Sequence, residues 1–445
     1  MRRTGRVLAT TGLAASLALA GGLQAGASAA RISSHHGSVA HKGGGTAPYK
    51  GGIKISYAGF SSMNGLPAII NTLNRKYAGK YYFSATAYPY ANYAALLSSA
   101  IAGGNPPDVF GASWTPSVYY TREGLTLPIM PFLKSAGVNT AALSPGLWSS
   151  LTEVKGVHYA VPLDAFGTAL FYNKAFFKKA GLNPNDPPTT GKQMIADALA
   201  MKKAGIKYPV IMGVDKTTQD FLYPSLVYQF GGTMGTPTSC AALFDSAAGA
   251  KAASWEKSLI YTYHVAPAGP SVSEDLDEFG KGAVGMVMLP AINQGALLKS
   301  LGSNLGVAPL PKVGVNDEDF VGQQYLWVFK TTTSTTPAGA KGISILLGAI
   351  YHQELPIIGV ANGSIPAYAP AVAAVKSMAF FKQQDYMVQT GRVNPAIPNW
   401  GTVTGVPLYN NLENALLNKE SVASGLAQAR TQTNQLTQTL PGCSN

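Results

Sequence analysis

A chain of 445 residues that is 46% hydrophobic holds more apolar material than one compact core takes up, so length alone points to two lobes. Only 12% of the residues are charged, about half the usual share, and the net charge of +12 is dispersed, with no Lys/Arg block of five or more, which excludes a nucleic-acid binder. The excess arises mainly because no Asp or Glu precedes Asp108, and a chain poor in carboxylates changes its charge little in acid, a composition compatible with an acidic habitat.

At the N-terminus Arg2, Arg3 and Arg6 precede the apolar stretch VLATTGLAASLALAGGL, and ASA at Ala27–Ala29 supplies the small residues a signal peptidase reads. Residues 1–30 therefore read as a secretory signal cleaved near Ala29, which places the mature chain outside the cytoplasm, secreted or periplasmic. Cleavage leaves 30 basic against 21 acidic residues, or +9. RRTGRV lacks the apolar residues expected after a twin-arginine pair, no Cys follows the apolar stretch to carry a lipid, and no later run reaches about 18 unbroken apolar residues. Residues 31–50 are rich in Gly and Ser and read as a flexible leader, with His35, His36 and His41 as solvated linker residues or a metal tail.

The folded part opens with a strand in IKISYAGF, a helix in LPAIINTLNRKYAG, a strand in YYFSATAYP, a helix in NYAALLSSAIAGG and a strand in PDVFGAS. This βαβαβ order predicts a mostly parallel sheet covered by helices, with ligand positions in loops at the carboxyl ends of strands. Asp108, before the third strand, reads as a structural cap or turn residue. A second α/β unit begins after about residue 168. It has a helix in NKAFFKKAGL with Asn173 as N-cap and Gly181 past its end, a helix in TTGKQMIADALAMKKAG and a strand in YPVIMGV. Short strands follow in GAVGMVML, LGVAPL and YLWVFK, and a long terminal helix in NNLENALLNKESVASGLAQARTQTNQL. Cys240 and Cys443 pair as a disulfide in an oxidising compartment or remain two thiols; neither has a Cys or His at zinc-ligand spacing. The acidic run SEDLDEF (Glu274, Asp275, Asp277, Glu278) lacks the alternating ligands of a calcium loop and reads as a solvated helix start.

The segments AGGNPPDVF, GLTLPIMPFL, YAVPLDAFGTALFYNKAFFKKAGLNPNDPPTT, FGKGAVGMVML, VAPLPKV, ANGSIPAY and NPAIPNW follow one another over about residues 50–440. Their joint order resembles the extracellular solute-binding proteins that feed ABC importers, in particular the carbohydrate-binding group (family 1) that contains maltose-binding protein. The resemblance implies an α/β, two-lobe periplasmic-binding-protein-like fold, each lobe a central sheet flanked by helices, with a hinge crossed about three times. Lobe 1 would then comprise residues 51–167 and 326–372, and lobe 2 residues 168–325 and 373–445. It also implies a monomer without cofactor that grips a small-molecule solute, a sugar or oligosaccharide, between the lobes and delivers it to membrane permease subunits.

On that reading LDAFGTALFYNK is the first crossing, where Gly167 flexes and Asp164 and Phe166 face the cleft; the alternative is that Asp164 caps a turn and Phe166 is core. GQQ before YLWVF is the second crossing and brings Gln323 and Gln324 to the ligand. Sugar pockets need aromatic faces and planar polar groups that both donate and accept. The candidates are Phe60, Ser61 and Asn64 after the first strand, Tyr88 and Tyr90 after the second, Trp114 after the third, and Trp400 between prolines and glycine. Gln219, Asp220 and Tyr223 sit at a helix start, where Asp220 is a ligand residue or an N-cap. MLPAINQG departs from the family pattern: it offers Asn293 but no stacking aromatic. The alternative function is a secreted polysaccharide hydrolase with Asp164 and Asp220 as its carboxylate pair. The chain contains no G-x-S-x-G, no H-E-x-x-H and no Gly-rich phosphate loop.

Overall fold

The computed structural model describes residues 51–445 apart from positions 61, 62, 64, 89–92, 114–118, 152, 155, 270, 271, 396, 398, 399, 441, 442, 444 and 445. Residues 1–50, where the sequence predicts a signal sequence and a leader with three histidines, lie outside the described residues, as does Tyr90. The strands in chain order are β1 Ile53–Phe60, β2 Tyr81–Tyr88, β3 Val109–Ser113, β4 Glu153–Val154, β5 Val157–His158, β6 Ala160–Phe166 and β7 Thr168–Asn173, then β8 Tyr208–Ile211, β9 Gly235–Thr236, β10 Ala241–Ala242, β11 Val284–Pro290, β12 Leu305–Pro309, β13 Gly322–Val328 and β14 Ile365–Pro366.

Two sheets carry the fold, a larger one in the order β14-β6-β13-β3-β1-β2 and a smaller one in the order β12-β7-β11-β8. β1 lies parallel to both β2 and β3, as the opening βαβαβ order requires. The rest of the larger sheet departs from the parallel expectation: β13 is antiparallel to β3 and β6, and β14 is antiparallel to β6. The reason is topological. β6 leads directly into the smaller sheet and β13 returns from it, so neither is joined to its neighbour by the helical crossover that makes strands parallel.

Local signals set the helix limits. Helix Leu66–Lys76 has Pro at its first turn, buries Leu66, Ile69, Ile70 and Leu73 on one face, and ends in Arg75 and Lys76, which suit its negative C-terminal dipole. Asn173 caps helix Lys174–Lys179 by accepting from the Ala175 amide at 3.0 Å, and Gly181 follows at φ +77°. The terminal helical pattern is two helices rather than one, Pro407–Leu416 and Val422–Thr437. Asn418 at φ +62° breaks the run, and Ser421 restarts it by accepting from the Ser424 amide at 3.1 Å.

Each sheet has its own core. Ile55, Phe83, Val109, Leu326 and Ile343 belong to the larger sheet's interior. Leu170, Phe171, Val210, Val287 and Leu297 belong to that of the smaller sheet, which the C-terminal helices enlarge through Leu412, Leu426 and Ala429. Separate interiors of this kind are what distinguishes two lobes from one body. Cys240 and Cys443 are joined as a disulfide with their Cα atoms 5.4 Å apart, which ties the chain end to the smaller lobe. The helical run Pro337–Asn362 is long and apolar enough to cross a membrane, but two thirds of its most apolar 18-residue window is buried inside the larger lobe, which accounts for its composition. Asp108 is a buried cross-link rather than a cap. Its Oδ2 accepts from the Ser56 amide and hydroxyl, and its Oδ1 from the Thr331 hydroxyl at 2.6 Å, which joins β1, β3 and the chain beyond β13.

Candidate functional site

β6 ends in the larger sheet at Phe166, and after the single residue Gly167 the chain is β7 of the smaller. β13 enters the larger sheet beside it. The two strands are hydrogen-bonded neighbours with Asp164 opposite Gln324, Ala165 opposite Gln323 and Phe166 opposite Gly322. Asp164, Phe166 and Gln324 therefore share one face of the sheet at the point where the chain passes between the lobes, while Gln323, paired with Ala165, lies on the opposite face.

Both glycines at this seam are chosen by space. Neither has positive φ. A Cβ on Gly322 would fall 2.4 Å from the Phe166 ring, and one on Gly167 would fall 2.5 Å from Cβ of Met387. Gly167 is thus a close-approach residue against Met387. Phe166 is buried over Gly322, its ring 5.9 Å from that of Phe221, which in turn lies 5.7 Å from Phe320. Gly322→Ala is expected to destabilise the protein by about 1–3 kcal/mol by displacing Phe166. An unchanged midpoint in urea denaturation would show that the ring moves aside freely.

Asp164 is buried, and the Ser364 hydroxyl donates to its Oδ2 at 2.6 Å, while its Oδ1 has no hydrogen-bond partner among the described residues. Burial pushes the Asp164 carboxyl up to about 7 against the lowering effect of Ser364. Tyr57 occupies space left by Gly59 and Gly111, where a Cβ would sit 2.1 and 2.4 Å from its hydroxyl. Burial, then the charges of Glu354 and Asp164, push its phenol up. Tyr351 donates to the Pro162 carbonyl on β6.

Glu354 completes the group. It sits in the π-helical turn Ile350–Glu354 and accepts from the Gly65 amide at 2.9 Å. Burial pushes it up to about 7, opposed by the amides of Gly65 and Leu66. Gly65 has no side chain with which to cap helix Leu66–Lys76, so a distant carboxyl performs that task. Sequence reasoning passed over Tyr57, Tyr351, Ser364 and Glu354. For Glu354 a signal existed: it is the single carboxylate in the apolar run Pro337–Asn362.

The other predicted residues stand elsewhere. Ser61, Asn64 and Trp114 lie outside the described residues, as does the side chain of Phe60. Tyr88 ends β2 half-buried against a small cluster that includes Tyr93 and Phe110. Gln323 accepts from the Tyr325 hydroxyl at 2.6 Å. Asn293 follows β11 and donates to the Pro290 carbonyl at 2.9 Å. Helix Lys216–Gln229 begins earlier than expected, with Asp215 as its N-cap, so Asp220 is not the cap; it accepts from the Tyr409 hydroxyl at 2.9 Å. Tyr223 is fully buried and donates to the Phe244 carbonyl at 2.8 Å. Trp400 is buried with its ring 6.4 Å from Phe244. Asp220, Tyr223 and Trp400 therefore belong to the helical layers of the smaller lobe, where their polar atoms and rings meet other protein groups.

The family model for bacterial extracellular solute-binding proteins matches residues 80–342. Among curated proteins, the sn-glycerol-3-phosphate-binding periplasmic protein UgpB of Pectobacterium atrosepticum is 30% identical over 122 residues, 26% of this chain and 28% of that protein. The alignment thus spans little more than a quarter of that relative's length. An ABC substrate-binding protein of Listeria monocytogenes in complex with cycloalternan superposes with a TM-score of 0.74 at 15% identity over 86% of this chain and 99% of its own. UgpB of Mycobacterium tuberculosis in complex with glycerophosphocholine gives 0.74 at 16% over 87% and 98%. A solute-binding protein of Thermotoga lettingae bound with alpha-D-tagatose gives 0.73 at 20% over 87% and 100%. At these identities the likeness is one of fold.

Proposed function

The chain belongs to the bacterial extracellular solute-binding proteins, and from that premise we propose that it is the extracytoplasmic binding component of an ABC importer, capturing a sugar or oligosaccharide between its two lobes and passing it to a membrane permease. The observation that carries this reading is Asp164 Oδ1, a buried carboxyl oxygen that has no hydrogen-bond partner among the described residues and lies where the two lobes join. Leaving a buried polar atom unpaired costs about 1–3 kcal/mol, and a solute hydroxyl that reached it would recover that cost.

The surrounding set of Tyr57, Gln324, Ser364 and a carboxyl held near neutrality contains no cation. Amides, hydroxyls and a protonated acid donate and accept at once, which matches sugar hydroxyls better than a phosphate ester. Capture would operate by population shift: contacts from both lobes to one solute favour the closed arrangement, which the permease reads. A hydrolase reading has less support, because Asp164 and Asp220 are each engaged by a hydroxyl of their own lobe, Ser364 and Tyr409. We further propose that the chain acts as a monomer.

A thermal-shift screen of neutral saccharides, polyols, sn-glycerol 3-phosphate and glycerophosphocholine tests the proposal. A cognate ligand at a hundred times its dissociation constant adds about 2.7 kcal/mol of stability. A shift by saccharides alone is expected. A shift by phosphate esters alone overturns the substrate class, and turnover of a glycoside overturns the binder.

A further inference from the structure

The positive charge of this protein is unevenly shared. Residues 51–166 and 322–375, which build the larger sheet and its helices, contain nine Lys and Arg but five Asp and Glu. Three of those acids, Asp108, Asp164 and Glu354, are buried and committed to hydrogen bonds inside the lobe. Glu123 and Glu153 alone remain to offset the basic side chains. In the rest of the described chain, by contrast, basic and acidic residues nearly balance at 18 and 16.

The imbalance is concentrated at one end of the sheet. Lys54 near the start of β1, Lys80 just before β2, and Arg75 and Lys76 in the last turn of helix Leu66–Lys76 are all exposed. Their backbones are tied together. The Ile53 amide donates to the Lys80 carbonyl at 3.0 Å, and the Lys80 and Tyr81 amides both donate to the Tyr77 carbonyl. Lys76 Nζ stands 5.4 Å from the Tyr77 ring centre and Lys80 Nζ 5.8 Å from that of Tyr81, while the two rings meet edge-on at 6.0 Å. Tyr81 donates to the Ala338 carbonyl, which brings the first turn of helix Pro337–Ala349, with the exposed Lys341, against the same cluster. No carboxylate occurs between Gly51 and Pro107. These cations stand at the amino ends of the parallel strands, opposite the strand ends that point toward the seam.

We propose that this face of the larger lobe is a docking surface for an anionic lipid membrane, held by Lys54, Arg75, Lys76, Lys80 and Lys341 with the half-buried Tyr77 between them and the buried Tyr81 supporting it from beneath. Clustered Lys and Arg near an anionic bilayer each contribute about 1 kcal/mol, an attraction that salt screens within a Debye length. Tyrosine suits the headgroup layer because its ring is apolar and its hydroxyl polar. Charge complementarity is what selects a lipid surface over a second copy of the chain, which would present the same cations.

Co-sedimentation with vesicles tests this, using phosphatidylcholine alone and phosphatidylcholine with about a third phosphatidylglycerol, at low and high salt. Binding is expected to the anionic vesicles only and to weaken as salt is raised. The variant K54Q/R75Q/K76Q/K80Q is expected to lose at least about tenfold in vesicle affinity. K178Q/K179Q/K202Q/K203Q, which removes as many charges from the smaller lobe, should stay within about twofold of the parent. Equal losses in the two variants would reduce the effect to net charge and overturn the proposal. Binding to soluble polyphosphate without binding to vesicles would overturn it in favour of a polymer. Saccharide-induced thermal shifts retained by both variants would keep the outcome separate from the solute-binding reading.

Discussion

The protein is expected to be most stable in acid and to lose stability, on the order of several kcal/mol, as pH rises from about 5 to about 8. Four buried carboxyls set this direction. Burial raises Glu256 and Asp319 to about 8, and Asp164 and Glu354 to about 7. Their hydrogen-bond donors are neutral: the Gln219 amide for Glu256 at 2.7 Å, the Gln229 amide for Asp319 at 2.7 Å, the Ser364 hydroxyl and the Gly65 amide. No ion pair among the described residues includes them.

In the unfolded chain these groups ionise near 4, so between that pH and their raised values the folded state binds more protons. Stability is therefore full below about 4, declines through the window up to about 7–8, and levels off once the folded groups ionise as well. Every tenfold difference in a carboxyl's acidity between the folded and unfolded chain is worth about 1.4 kcal/mol. Scanning calorimetry from pH 4 to 9 checks this, and Glu256→Gln should flatten the slope by about one proton. A melting temperature that is constant or rises between pH 5 and 8 would mean that these acids are ionised in the fold.

The second large effect concerns the bond between Cys240 and Cys443, which are 203 residues apart. Closing so long a loop removes much freedom from the unfolded chain, and its loss is expected to cost about 2–5 kcal/mol. The double variant Cys240→Ser/Cys443→Ser should lower the unfolding midpoint of the smaller lobe. The separate interior around Ile55, Phe83 and Ile343 should keep its own transition. Asn434, which accepts from the Ala242 amide at 2.8 Å, keeps the last helix placed, so the fold itself should survive. If both transitions fall together the two interiors unfold as one unit, and if neither falls the bond is energetically idle.

The opening βαβαβ run and the helix caps at Asn173 and Gly181 are readable from the chain because their determinants lie within a turn or two of each other. The seam is only half readable. Asp164 stands out as a carboxylate in an apolar strand, but its hydroxyl partner Ser364 is 200 residues away, and no local pattern joins them. Glu354 caps a helix 289 residues earlier in the chain, so its one-sided role was invisible to helical spacing. Trp400 and Tyr223 illustrate the opposite difficulty. A ring fixed between prolines, or one at a helix start, suits a packed interior as well as a binding face, and only tertiary contacts with Phe244 distinguish the two.

Phe166 seated over Gly322 has a mechanical implication. Because β6 and β13 share a ladder of hydrogen bonds right up to that residue pair, a torque applied to one strand is carried at once by the other. The strand on which the chain leaves the larger sheet and the strand on which it returns are thus locked to each other.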